Sequence, residues 1–167
     1  MARRDAEQNV TQSVLERLID REIGTPTDSP ITYAQSVRQL KLSLRRDLEW
    51  LLNSRRTPEP AEKTFQELHR SLYNYGLPDV TSVSHETFGD RARLLQLVEA
   101  TIEMFEPRLT RVKVTPLEAL RGAVHVLRFQ IEGMLMMDPE PEHISFDTVL
   151  QLASGQYDVR GGDAGAG

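Results

Sequence analysis

Cysteine is absent from the chain of 167 residues. That removes a disulfide framework, a thiolate zinc site and a thiol nucleophile, and it suits a reducing compartment. Nor is there an apolar run approaching the about 20 residues that a membrane-spanning helix needs, so no direct membrane insertion is expected. The paired arginines of Met1-Ala2-Arg3-Arg4 are followed by Asp5, Glu7 and Gln8, where a signal peptide would carry its apolar stretch; export by a standard signal is not expected. Positive charge is not in excess. Lys and Arg number 20 against 25 Asp and Glu, for a net charge of -5, which repels nucleic acid on average. Neither a Gly-rich phosphate loop nor a GxSxG elbow occurs. The four histidines, His69, His85, His125 and His143, form no pair at metal-ligand spacing, so no metal and no cofactor are expected.

What is present fits a single domain over residues 13–160, with a polar, flexible segment at 1–12 and a flexible Gly-rich tail at 161–167. Val14, Leu15, Leu18 and Ile19 recur at helical spacing, and Gly24-Thr25-Pro26 ends that short helix. The clearest helix follows. Val37, Leu40, Leu44, Leu48 and Leu51 make one stripe, which Trp50 and Leu52 widen before the stop at residues 53–58. Its arginines read either as a solvated face with favourable end charges or as a surface for an acidic partner.

Residues 58–85 are mostly connection. Phe65, Leu68 and Leu72 suggest a short helix, and Ser71-Leu72-Tyr73-Asn74-Tyr75-Gly76-Leu77-Pro78-Asp79 a packed loop. A second long helix is expected over 86–105, with Ser84 as N-cap and Leu95, Val98, Ile102 and Phe105 as its core stripe. The period then changes to two. Thr110, Val112 and Val114 alternate with Arg111, Lys113 and Thr115. Leu127, Phe129 and Ile131 alternate with Arg128, Gln130 and Glu132 within 123–132. Ile144, Phe146 and Thr148 start a third strand beyond the turn at 138–141. Tyr157 and Val159 add a last extended piece after Gly155. Helices first and strands later argue for an α+β fold, with N-terminal helices packed on a small C-terminal antiparallel sheet. Gln130 and Thr148 are taken as outward-facing positions of that sheet.

Carboxylates are abundant, and a pair in a cleft would allow a glycosidase acting on peptidoglycan; nothing in the pattern requires an enzyme. The most unusual local feature is Phe105-Glu106-Pro107-Arg108, where the long helix meets the first strand. Proline breaks the helix, and Glu106 and Arg108 either flank it in solvent or are held by the junction, paired with each other or with another subunit.

Several segments, in order along the chain, resemble a known family. Ser13-Val14-Leu15-Glu16-Arg17-Leu18 is similar to the opening of the TssE family, the small baseplate subunits of type VI secretion systems. Arg46-Asp47-Leu48-Glu49-Trp50-Leu51-Leu52-Asn53-Ser54-Arg55 resembles its long-helix signature, and residues 71–79 its central loop. Phe105-Glu106-Pro107-Arg108-Leu109 is similar to the Glu-Pro-Arg motif shared with the related wedge protein of contractile phage baseplates. Phe129-Gln130-Ile131-Glu132-Gly133 and Phe146-Asp147-Thr148 resemble its terminal sheet.

The resemblance implies a structural subunit rather than an enzyme. It implies a cytoplasmic wedge with TssF and TssG, in a baseplate docked at the inner-membrane complex with TssK as a neighbour. From this platform the TssB–TssC sheath would grow around the Hcp tube. It makes Glu106, Pro107 and Arg108 the candidate protein-interaction site. The other readings are the glycosidase and an adaptor or chaperone that leaves after assembly.

Overall fold

The computed structural model of the protein describes residues 32–59, 64–79, 88–118 and 126–162. The expected helix near residue 14, the N-cap Ser84 and the end of the tail lie outside the described residues.

Helix α1 spans Tyr33–Asn53. Thr32 starts it with a capping box. Its hydroxyl accepts from the Gln35 N–H, and its own N–H donates to Gln35 Oε1 at 2.9 Å. Leu40, Leu44, Leu48, Leu51 and Leu52 are buried, as their spacing predicts. Trp50 corrects the expectation: it is 53% exposed. Successive residues advance about 100° around a helix, so position 50 falls far round the axis from both Leu48 and Leu52.

The chain leaves α1 at Ser54 in an extended conformation and immediately forms a parallel bridge, Arg55 with Leu77. The Leu77 N–H donates to the Ser54 carbonyl at 2.9 Å, and the Arg56 N–H to the Leu77 carbonyl at 3.0 Å. Gly76, at φ +95°, permits this approach: a Cβ there would lie 2.2 Å from the Ser54 carbonyl oxygen. A short helix α2 (Gln66–His69) and a 3-10 turn (Leu72–Asn74) precede it. The short helix suggested by Phe65, Leu68 and Leu72 includes only Leu68 of the three; Phe65 and Leu72 are exposed, and Leu77 joins the core.

Helix α3 spans Phe88–Phe105 and buries Leu94, Leu95, Val98 and Ile102. Phe105 packs edge-on against Tyr75, with ring centroids 5.4 Å apart.

Four strands follow: β1 (Leu109–Pro116), β2 (Val126–Leu135), β3 (Glu142–Gln151) and β4 (Gln156–Gly161). They pair antiparallel in chain order, so the fold is α+β with N-terminal helices and a C-terminal antiparallel sheet. Strand β4 runs into the Gly-rich stretch as far as Gly161. One face carries Phe129, Ile131, Ile144, Phe146, Leu150, Tyr157 and Val159 into the core with the helical leucines. The other face carries partly exposed polar pairs such as Lys113 opposite Glu132 and Gln130 opposite Asp147.

Two expectations about the strands change. Thr110 does not share a face with Val112 and Val114. Arg111 sits at φ +53°, and the register with β2 slips between Thr110 and Lys113, so Leu109 joins the two valines inside while Thr110 and Arg111 face out. Thr148 is fully buried on the core face, and it and Gln130 lie on the central strands β3 and β2. The sheet edges are β1 and β4.

Each edge is met by a helix side chain. Glu99 of α3 accepts the Val114 N–H of β1 at 2.9 Å. Asn53, at the end of α1, gives and takes at β4: its amide donates to the Tyr157 carbonyl at 2.9 Å, and its oxygen accepts the Tyr157 N–H at 2.9 Å.

Candidate functional site

The Glu106-Pro107-Arg108 segment forms the corner between α3 and β1. The Glu106 N–H still donates to the Ile102 carbonyl at 2.8 Å, closing the last helical turn. Pro107 has no N–H and stops the helix there. The Leu109 N–H then donates back to the Glu106 carbonyl at 3.1 Å, and the Met136 N–H donates to the Arg108 carbonyl at 2.8 Å, tying the corner to the end of β2.

The two charged side chains turn inward and meet. Arg108 donates from Nε to Glu106 Oε1 at 2.7 Å and from Nη2 to Glu106 Oε2 at 2.6 Å, a fork-to-fork pair. The Arg108 main-chain N–H also donates to Glu106 Oε1, at 3.2 Å. Glu106 is only 5% exposed. A carboxylate so withdrawn from water needs this compensation.

A third residue completes the cluster. Arg108 Nη2 also donates to Asp47 Oδ2, at 2.7 Å, so a guanidinium from the corner holds a carboxylate on α1. Asp47 is supported in turn by Ser43 Oγ at 3.4 Å and by Arg46 Nη2 at 3.1 Å. The Arg46 guanidinium lies 4.9 Å from the centre of the Trp50 ring, so the cluster continues outward to an exposed aromatic.

The electrostatics follow from this placement. The hydrogen bonds to Glu106 hold the Arg108 guanidinium above its already high ordinary value; burial works against the shift, and the charges of Glu106 and Asp47 add to it. Burial, with the nearby carboxylates of Asp47 and Glu106, pushes the Tyr75 hydroxyl up as well.

The structure therefore brings Glu106 and Arg108 together within one chain, with Pro107 as the stop that sets the corner. Asp47 is the partner that sequence reasoning missed. A signal for it existed: it is a carboxylate bordering the buried stripe of Leu44, Leu48 and Leu51, where a charge needs a partner. Chemically the cluster is a clamp. Both carboxylates are engaged by the same guanidinium, so they are not poised as the acid and nucleophile of a glycosidase. Among the described residues no group of His, Asp and Glu could hold a metal ion. Among them, too, no helix is long and apolar enough to cross a membrane.

The described residues thus form a helix-backed antiparallel meander whose ion-paired corner holds its elements together. Residues 38–140, which span nearly all of α1, the corner and β2, match the family of baseplate wedge protein gp25, and the chain belongs to that family. A chain in the solved structure of "The baseplate complex from the type VI secretion system" is also similar, at 24% identity and a TM-score of 0.46, over 69% of this chain and 97% of that one. No curated protein sequence matches the chain.

Proposed function

We propose that this protein is a structural wedge subunit of a type VI secretion baseplate. In this reading it joins TssF and TssG, lies near TssK in a cytoplasmic platform docked at the inner-membrane complex, and offers the surface from which the TssB–TssC sheath starts to grow. Membership of the baseplate wedge family carries the reading. The ordered resemblance to the TssE family, from Ser13 to about Val159, directs it to type VI secretion in particular.

The Glu106-Pro107-Arg108 corner has two jobs here. Inside the chain it clamps α1 through Asp47. Toward partners it offers Arg108 and Arg46 leading to the exposed Trp50 ring, and aromatic and arginine side chains that a partner buries dominate protein interfaces. An enzymatic role as a peptidoglycan glycosidase has less support, because the two carboxylates brought together at the corner are both engaged by Arg108.

Co-purification tests the reading. The tagged protein, expressed with TssF and TssG, should carry both through two purification steps, and purified baseplates should contain it. Recovery of neither partner, or peptidoglycan turnover abolished by a single carboxylate substitution, would overturn the assignment.

A further inference from the structure

One amphipathic stretch of the sequence, residues 13–20, lies outside the described residues and carries a stripe that needs a surface. Val14, Leu15, Leu18 and Ile19 recur there at helical spacing. A helix of about eight residues has little stability in isolation, so its apolar side must pack on something.

Helix α1 offers such a surface. Away from the core it carries a ridge at four-residue spacing: Arg38, Leu42, Arg46 and Trp50. Leu42 is 40% exposed and Trp50 53%. The Arg46 guanidinium lies 4.9 Å from the centre of the Trp50 ring, so cation and ring form one continuous strip. The other exposed large apolar side chains among the described residues, Phe65, Leu72, Met104 and Met136, lie on separate parts of the chain and form no row.

Length, charge and reach match the stretch to the ridge. From Leu42 to Trp50 is about 12 Å of helix axis, and a helix of residues 13–20 has about the same length. Glu16 and Asp20 stand four apart on one flank of the apolar stripe, opposite in sign to Arg38 and Arg46. Residues 21–31 can span up to about 36 Å. Leu42 and Trp50 lie only about 15 and 27 Å along the axis from Thr32, where α1 begins.

We propose that residues 13–20 form a short amphipathic helix docked antiparallel on the Leu42–Arg46–Trp50 ridge of the same chain. That direction brings Val14 toward Trp50, Glu16 beside Arg46 and Ile19 toward Leu42. The apolar stripe and the exposed row on α1 then cover each other. The free subunit shields its own tryptophan, and a partner that buries Trp50 has first to displace the segment. Only the identity of that partner rests on the proposed function.

The full-length isolated protein tests the docking, because Trp50 is its one tryptophan and it has no cysteine of its own. Leu15→Asp with Leu18→Asp should move the Trp50 emission to longer wavelength and raise its quenching by acrylamide about twofold, while far-UV circular dichroism and the urea midpoint show the core intact. Cross-linking gives a second measure that leaves the stripe in place. A short bismaleimide should join Ile19→Cys to Leu42→Cys within one chain. It should not join Ile19→Cys to Lys113→Cys, which lies on the far face of the sheet. If the double Asp variant fails to fold, the cross-links decide alone. Unchanged Trp50 quenching in the folded double variant overturns the proposal. So does a missing Ile19–Leu42 cross-link, or an equal yield with Lys113→Cys. Cross-links between chains in place of those within one would give the ridge to a second copy and overturn it too. Absence of the wild type from purified baseplates would sink the wedge reading and leave these results unchanged.

Discussion

Arg108, in the corner between α3 and β1, holds Asp47 on a helix 61 residues earlier in the chain at 2.7 Å, while the same guanidinium grips Glu106. A single cation thus joins both long helices to the start of the sheet, and its removal has consequences on two sides.

Arg108→Ala leaves Glu106 buried without a counter-charge and releases Asp47. Breaking a buried pair by removing one partner costs about 3–5 kcal/mol, and the partial exposure of Arg108 lowers the expected loss to about 2–4 kcal/mol. Urea denaturation should show the fall as a lower midpoint. Glu106→Gln, which keeps the shape and one acceptor, should cost less than Arg108→Ala. A loss below about 0.5 kcal/mol for Arg108→Ala would mean that the cluster does not hold the fold.

The bond across the helices can be isolated with a double-mutant cycle. Asp47→Asn and Arg108→Lys, singly and together, should show a coupling of about 1–2 kcal/mol, because the two side chains are in contact. Additive losses would mean that Asp47 is held by Arg46 and Ser43 alone. In the assembly, the same single variants should reduce recovery of TssF and TssG beyond what their stability loss explains.

Much of this architecture is legible in the sequence. The leucine stripe of α1, the stripe of α3 and the alternation in β2 and β3 reflect periodicities that local geometry imposes. The corner stands out because proline beside two charges at a change of period is a local event. What escapes is set by contacts between distant residues. Nothing near Asp47 announces Arg108. Nothing near Asn53 announces Tyr157, 104 residues away. Trp50 misleads because an aromatic beside a leucine stripe reads as core, and only the helical angle separates the two. Thr110 misleads because a bulge at Arg111 shifts the alternation without a glycine to mark it.

Two phenols give the protein a defined alkaline limit. Burial raises both Tyr75 and Tyr157 above the ordinary value of 10.0, for Tyr157 with the Arg55 charge opposing the shift. A raised folded-state value favours the neutral form in the native state. Their contribution is therefore complete below pH 10 and is lost as the pH climbs through the folded values. Stability against urea should decline above pH 10, and Tyr157→Phe should flatten that decline. Tyr157→Phe also removes a hydroxyl that has no partner among the described residues, so its cost near neutral pH should be small. A slope above pH 10 unchanged in Tyr157→Phe would refute the assignment.

Gly76→Ala should be among the most damaging small changes in the chain. The added Cβ meets the Ser54 carbonyl, and the positive φ is itself unfavourable for alanine. A loss of about 2–4 kcal/mol is expected, with the Leu77 and Arg56 amides becoming exchangeable ahead of the core. Gly89→Ala is the control. It lies within α3 with nothing near its Cβ position, and it should leave stability unchanged or raise it by up to about 1 kcal/mol.

The meander order of the sheet carries a temporal consequence. Each strand pairs with its neighbour in sequence, so the sheet closes through short loops. Helix α1 meets β4 across about a hundred residues of chain, through the bonds of Asn53 with Tyr157, 104 residues apart. Short loops close early and distant ones late, which makes docking of α1 the final event of folding. During synthesis the order of emergence runs the other way: α1 leaves the ribosome before every strand of the sheet and must wait, with its leucine stripe uncovered, until β4 arrives. The newborn chain is thus most vulnerable to aggregation until β4 has emerged, and a chaperone would find its target in the leucine stripe of α1.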